Sequence, residues 1–289
     1  MISCTRRFAR LLGVCFLSAA AASAQTILTL GGGFTFPEAL DVDSSGNVYV
    51  ADPNNNAIKR ILAAGGYVTT ETLVSGGTPD GVAVDPALNL FVADGNNSAV
   101  KRILAAGGYT TVTPVGSMFG YPFAVALDGA GNVYVADVNA SSIKRVLAAG
   151  GYTTVQSLGS GLSSPAGIAV DAAGNLYVGD SKANAVKRIL AAGGYTTIDT
   201  LGNGFVNPSG VALDSDGNVY VADYGNSAVK RILAAGGFTT VETLGSGFAS
   251  PTDVAVDAVG DVYVSDSGND AIKKILLVTP VALQSFGVD

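Results

Sequence analysis

The sequence predicts an all-β protein, a six-bladed β-propeller of four-stranded antiparallel blades closed by an N-terminal strand, and three observations predict it. A segment of about 43 residues recurs six times, marked by Asp43, Asp85, Asp128, Asp171, Asp214 and Asp257. Each copy holds short β-branched or aromatic runs separated by Gly, Asn and Asp turn residues. Finally, the run Ile27 to Phe34 matches Val241 to Phe248 of the fifth copy, whereas the sixth copy lacks this segment after Leu277.

The elements follow in order within one repeat. The first strand is the run Gly81 to Asp85, and the second is a run such as Asn132 to Asp137; an Asp-x-x-Gly-Asn hairpin turn joins the two in most copies. The third runs through Ala99 to Leu104, and after Ala-Ala-Gly-Gly a fourth, Thr- and Val-rich, covers Tyr152 to Leu158. No stretch between turn signals is long enough for a helix of apolar 3.6 periodicity. Six such sheets bury both faces by stacking around an axis. An open solenoid would need caps at its ends, and none is seen, so the N-terminal strand is expected to complete blade six. The competing closure would fold back Val281 to Phe286 after Pro280.

Residues 1–24 read as a signal peptide: Arg6, Arg7 and Arg10 precede the apolar run Leu11 to Ala22, and Ala22-Ser23-Ala24 supplies a cleavage site. The propeller is then expected over residues 25–278 with a tail at 279–289, acting in the periplasm or outside the cell. Both cysteines, Cys4 and Cys15, fall inside the signal, so no disulfide is expected. Beyond it, 13 basic residues face 23 acidic ones, a net charge of about −10 that repels nucleic acid and anionic membranes. No later run is long enough to span a bilayer, so no membrane insertion is expected, and the chain reads as a monomer. The chain contains no histidine, which excludes histidine triads, histidine-ligated zinc and histidine acid–base catalysis.

The units Pro-x-Gly-Val-Ala-Val-Asp, Gly-Asn-Val-Tyr-Val-Ala-Asp and a basic, Ile-containing third strand resemble the NHL repeat across Ile27 to Leu277. One departure is systematic: NHL units commonly carry Arg where this chain has Ala57, Ala99, Ser142, Ala185, Ala228 and Ala271. The WD40 alternative fails for want of any tryptophan.

Most repeated residues read as structural. Asp52, Asp94, Asp137, Asp180, Asp223 and Asp266 are expected to accept backbone N–H groups of the turn that follows each second strand. Tyr49, Phe91, Tyr134, Tyr177, Tyr220 and Tyr263 are expected to fill the space between blades. The adjacent Lys and Arg of each third strand point to opposite faces. Asp214-Ser215-Asp216-Gly217-Asn218 echoes a calcium loop but lacks its downstream ligands and reads as a hairpin turn.

Function is sought where the copies differ. On the face that carries the interblade loops, Phe119, Tyr121, Phe123 and Tyr224 suit stacking against a glycan or a peptide. The expected function is a non-catalytic binding or scaffold propeller for protein or glycan, without a cofactor. The alternative follows from the resemblance: some six-bladed relatives are hydrolases or lyases with a central cation. Absence of histidine excludes the histidine-dependent ones, streptogramin-type lyases among them, and leaves a calcium-dependent, lactonase-like hydrolase. Its calcium would be held at the channel mouth by Glu38, Asp41, Asp80 and Asp253, carboxylates that ring closure brings to one side of the axis.

Overall fold

The computed structural model describes residues 25–277. The expected signal segment with Cys4 and Cys15, and the alternative C-terminal closing run Val281 to Phe286, lie outside the described residues.

Six four-stranded antiparallel sheets are arranged as blades. Blade one runs from the innermost strand Ala39–Val42 through Val48–Asp52 and Ala57–Ile61 to the outermost, Thr70–Ser75. Blades two to five repeat this order with innermost strands Gly81–Val84, Pro122–Leu127, Pro165–Val170 and Pro208–Leu213. In blade six, Pro251–Val256, Val262–Asp266 and Ala271–Leu276 are joined by the N-terminal strand Thr26–Leu30 as the outermost member. That strand pairs antiparallel with the third, Thr26 opposite Leu276 and Leu30 opposite Ile272, so the ring closes as the repeat pattern predicted. Short 3-10 turns such as Pro53–Asn55 are the only helices among the described residues, and none is long and apolar enough to cross a membrane.

Each interface between blades is one apolar cluster, which is why the second strand of every repeat is apolar on both faces. Tyr49 and Ile58 of blade one meet Val82 and Leu90 of blade two; Phe91 and Val100 of blade two meet Val125 and Val133 of blade three. At the closing seam, Leu30, Phe34 and Leu40 pack with Tyr263 and Ile272. The tyrosines are fully buried, as expected, and their hydroxyls donate to the aspartate of the first hairpin, as Tyr220 does to Asp214 at 3.0 Å. Asp214 also accepts the N–H groups of Asp216 and Asn218 and the Asn218 amide, so this fragment is a hairpin turn. Blades four and five approach so closely that a Cβ at Gly179, where most blades carry Ala, would overlap the Ser209 carbonyl.

The aspartates that end the second strands behave differently from the expectation. Five of them accept backbone N–H groups from the loop that precedes their blade: Asp137 takes those of Gly120 and Tyr121, Asp180 those of Ser163 and Ser164, and Asp52, Asp223 and Asp266 those of Thr35, Val206 and Ala249. From the turn that follows come side-chain amides, Asn97 to Asp94 and Asn55 to Asp52 among them, and at Asp137 a longer N–H contact from Ala140. The turn that follows is already closed by its own backbone, as Asn56 N–H to Pro53 C=O, leaving the carboxylate free for the longer reach. Each also meets the lysine of its own third strand, Asp137 with Lys144 at 2.9 Å and Asp266 with Lys273 at 2.5 Å. The alternating arginines turn the other way, Arg60 to Glu71 and Arg231 to Glu242 at 2.6 Å.

Candidate functional site at the channel mouth

The innermost strands of all six blades line a channel of about 300 Å³. Above it, on the face of the interblade loops, opens a cup of about 340 Å³ whose wall includes Phe36, Tyr121, Phe123, Asn207, Tyr224 and Glu38. Tyr121 and Phe123 stack with ring centroids 6.5 Å apart, forming an aromatic side to the cup. Three of the four expected ligand-binding residues therefore converge. Phe119 does not: it is 7% exposed, packs in the core between blades two and three, and lies under the Lys144 ammonium. Its place in the repeat is that of Phe34, Leu162, Phe205 and Phe248, all buried, and this periodicity was the signal for a core position.

The four expected carboxylates separate into two pairs. Asp41 and Asp253 are built into the wall. An innermost strand has one edge with no ladder partner, and these side chains satisfy its N–H groups across blades: Asp253 accepts from Leu40 at 3.0 Å and Asp41 from Val84 at 2.8 Å. Their second oxygens take the N–H groups of Val254 and Val42. Burial nevertheless outweighs these bonds and pushes Asp41 up to about 6 and Asp253 up to about 7.

Glu38 and Asp80 stand at the mouth. Asp80, 4% exposed, accepts the Gly95 N–H at 2.6 Å and the Tyr121 hydroxyl at 3.2 Å. A Cβ at Gly95 would lie 2.7 Å from both the Asp80 carboxylate and the Tyr121 ring, so this approach needs glycine there. Glu38 has no side-chain hydrogen bond among the described residues and is the one acidic residue that lines both channel and cup. Burial first, and the neighbouring Asp80 charge second, push Glu38 up to about 8. Burial also raises Asp80, while the bonds from Gly95 and Tyr121 oppose the rise. Tyr121 is pushed up to about 12 by burial and Asp80, so it remains a neutral donor.

A calcium ion requires six to eight oxygens around one point. Among the described residues no group of three or more acidic side chains is placed to hold a metal, and both oxygens of Asp41 and of Asp253 already receive backbone N–H bonds. The donor set does not fit that ion.

This chain belongs to the virginiamycin B lyase family, which matches residues 25–282. A catalytically inactive histidine-to-alanine variant of virginiamycin B lyase from Staphylococcus aureus, solved with quinupristin, has a similar fold: TM-score 0.61, 17% identity, 83% of this chain and 80% of that one. A gluconolactonase from Xanthomonas campestris is similar at a TM-score of 0.74 and 14% identity, over 88% of this chain and 90% of that one. A protein of unknown function from Bacteroides thetaiotaomicron reaches 0.71 at 18% identity, over 87% and 76%. At such identities the structural likeness speaks for the fold alone. No curated protein sequence matches the chain.

These relationships bear out one expectation in part and correct another. The family shown is that of virginiamycin B lyase, which agrees with the six-bladed propeller that the NHL resemblance implied but does not itself show the NHL family. The non-catalytic scaffold is overturned, because the family that matches the chain is that of a lyase. The near-identity of the blades holds for the positions that pack. At the mouth the symmetry breaks: Glu38, Asp80 and Tyr121 each occur in one blade, where blades four to six place Ala166, Ser209 and Thr252 at the Glu38 position.

Proposed function

We propose that the protein is an enzyme of the extracytoplasmic space that opens a small, uncharged cyclic ester at the channel mouth, with Glu38 as its acid–base group. The observation that carries this reading is the Glu38 carboxyl, free of hydrogen bonds, held near neutral pKa and open to an aromatic-sided cup. A lactone ring fits against Tyr121 and Phe123. As carboxylate, Glu38 takes a proton from water while the water oxygen bonds to the ester carbon; it returns that proton to the ring oxygen as the carbon–oxygen bond breaks. Asp80 acts through Glu38 as a positioning residue, keeping its pKa high. The gluconolactonase among the structural neighbours supports this substrate class. The absence of histidine counts against the lyase chemistry of the family, whose structurally characterised histidine-to-alanine variant is catalytically inactive.

The test is lactone hydrolysis across a panel of ring sizes, followed by proton release. Glu38→Gln is expected to lower kcat by about 10²-fold or more. Asp80→Asn is expected to move the rising limb of the pH–rate profile to lower pH, since a like charge beside Glu38 is removed. Chelator is expected to leave the rate unchanged; loss of activity with chelator would restore the cation reading. Full activity in Glu38→Gln would sink the assignment.

A further inference from the structure

A second site follows from a break in the repeat on the outer side of the ring, away from the mouth and independent of the proposed enzyme. In four blades the third-strand arginine points Nε and Nη2 at one oxygen of the fourth strand. Arg60 meets Glu71 at 3.3 and 2.6 Å, Arg145 meets Gln156 at 3.1 and 2.6 Å, Arg188 meets Asp199 at 3.2 and 2.7 Å, and Arg231 meets Glu242 at 3.1 and 2.6 Å. Blade two keeps the arginine, Arg102, but the residue opposite it is Thr113. Blade two also has Phe91 where four others set a tyrosine hydroxyl beside the arginine head, as Tyr49 does for Arg60.

The Arg102 guanidinium is nevertheless held in place. It lies 5.6 Å from the ring centroids of both Phe91 and Tyr152, a frame like that of Arg145 beside Tyr195 at 5.5 Å. Its Nε is buried and has no hydrogen-bond partner, one of two such buried side-chain atoms among the described residues. Asp85 forms an ion pair with Nη2 at 3.7 Å, too long for a hydrogen bond, and does not serve Nε. Leaving a buried charged donor unmet is costly, so the geometry favours an acceptor from outside. Beside Arg102 opens a cavity of about 680 Å³ between the outer strand of blade two and the turn that precedes the outer strand of blade three, lined also by Thr113, Pro114, Ser117, Tyr152 and Thr153.

We infer that Arg102 is a binding site for the carboxylate of a small monoanionic ligand, which takes the position filled by Glu71 or Glu242 in other blades. Nε and Nη2 donate to the carboxylate, and Ser117 lines the same cavity, whereas the Thr113 and Thr153 hydroxyls there donate to the Arg102 and Gly150 carbonyls. A monoanion is favoured over phosphate because Asp85 stands beside the site and the chain as a whole is acidic.

Acetate is the probe. Five arginines follow residue 24, so the arginine Nε–H region of a ¹⁵N spectrum holds few signals, and Arg102→Lys assigns one of them. Titration with acetate is expected to shift the Arg102 signal saturably and leave those of Arg60, Arg188 and Arg231 in place. Thr113→Glu, which restores the internal acceptor of blades one and five, is expected to abolish the acetate response and to raise the melting temperature without acetate. A linear or absent shift at Arg102, equal shifts of all the signals, an unchanged titration in Thr113→Glu, or tighter binding of inorganic phosphate than of acetate would each overturn the inference.

Discussion

Glu38 is where a single residue ties stability to chemistry. Its carboxyl sits up to about 8 in the folded protein against an ordinary value of 4.5, so between those values the folded state binds more protons than the unfolded chain. Stability from this group is therefore full below about 4.5 and falls as pH rises through about 8. Glu38→Gln is expected to melt like the wild type at the acid end and to be more stable by about 2 kcal/mol at the alkaline end, allowing for partial solvent screening. Melting curves across pH check this, and a constant difference would show that the carboxyl is not raised. Asp137 has the opposite sign. Burial works against its ionised form, but the N–H groups of Tyr121 and Gly120 and the Lys144 ammonium prevail and hold it low, so its contribution is lost as pH falls through its folded pKa. Asp137→Ala strands Lys144 and is expected to cost about 3–5 kcal/mol, read by urea denaturation.

The element that decides the fold is the strand Thr26–Leu30, because it belongs to blade six in space and to the start of the chain in sequence. Without it, Ala271–Leu276 presents an unpaired edge, and Leu30 and Phe34 leave the cluster shared by blades six and one. Deleting residues 25–34 is expected to abolish the cooperative melt, and a synthetic peptide of those residues added in trans is expected to restore part of it. A deletion variant that melts like the parent would mean that another segment closes the ring. The interblade loop around Tyr121 is tied down by Asp137 and by the reach of Tyr121 to Asp80, which is how a loop in one blade comes to orient a carboxylate in another.

For the molecule as a whole, stability rests on the apolar clusters between blades and on ring closure, with no covalent link between them. The only cysteines are Cys4 and Cys15, so the protein expressed from the full sequence and recovered after export is expected to melt at the same temperature with and without dithiothreitol. A reductant-dependent melt would place a cysteine in the mature chain. The ring also explains why charge gathers at the mouth: closure sets blades six, one and two side by side, so residues as far apart in sequence as Asp253 and Leu40 become hydrogen-bond partners.

The repeat alone determined the architecture, since four short strands per unit with both faces apolar have no way to bury themselves except against the next unit, and the matching run at Ile27 to Phe34 supplied the closing strand. It likewise marked Tyr121, Phe123 and Tyr224 by their departure from the repeat, and the cup contains them. What the sequence could not decide was which carboxylates are occupied. Asp41 and Asp253 look like ligands on paper, but the unpaired edges of the innermost strands claim them, because an N–H without a ladder partner outbids a distant ion for a nearby oxygen. Glu38 has no such partner, and Arg102 lacks the acceptor of the other blades because Thr113 stands where they place a carboxylate or an amide. Both depend on distances between strands, which a one-dimensional pattern does not contain and packing alone fixes.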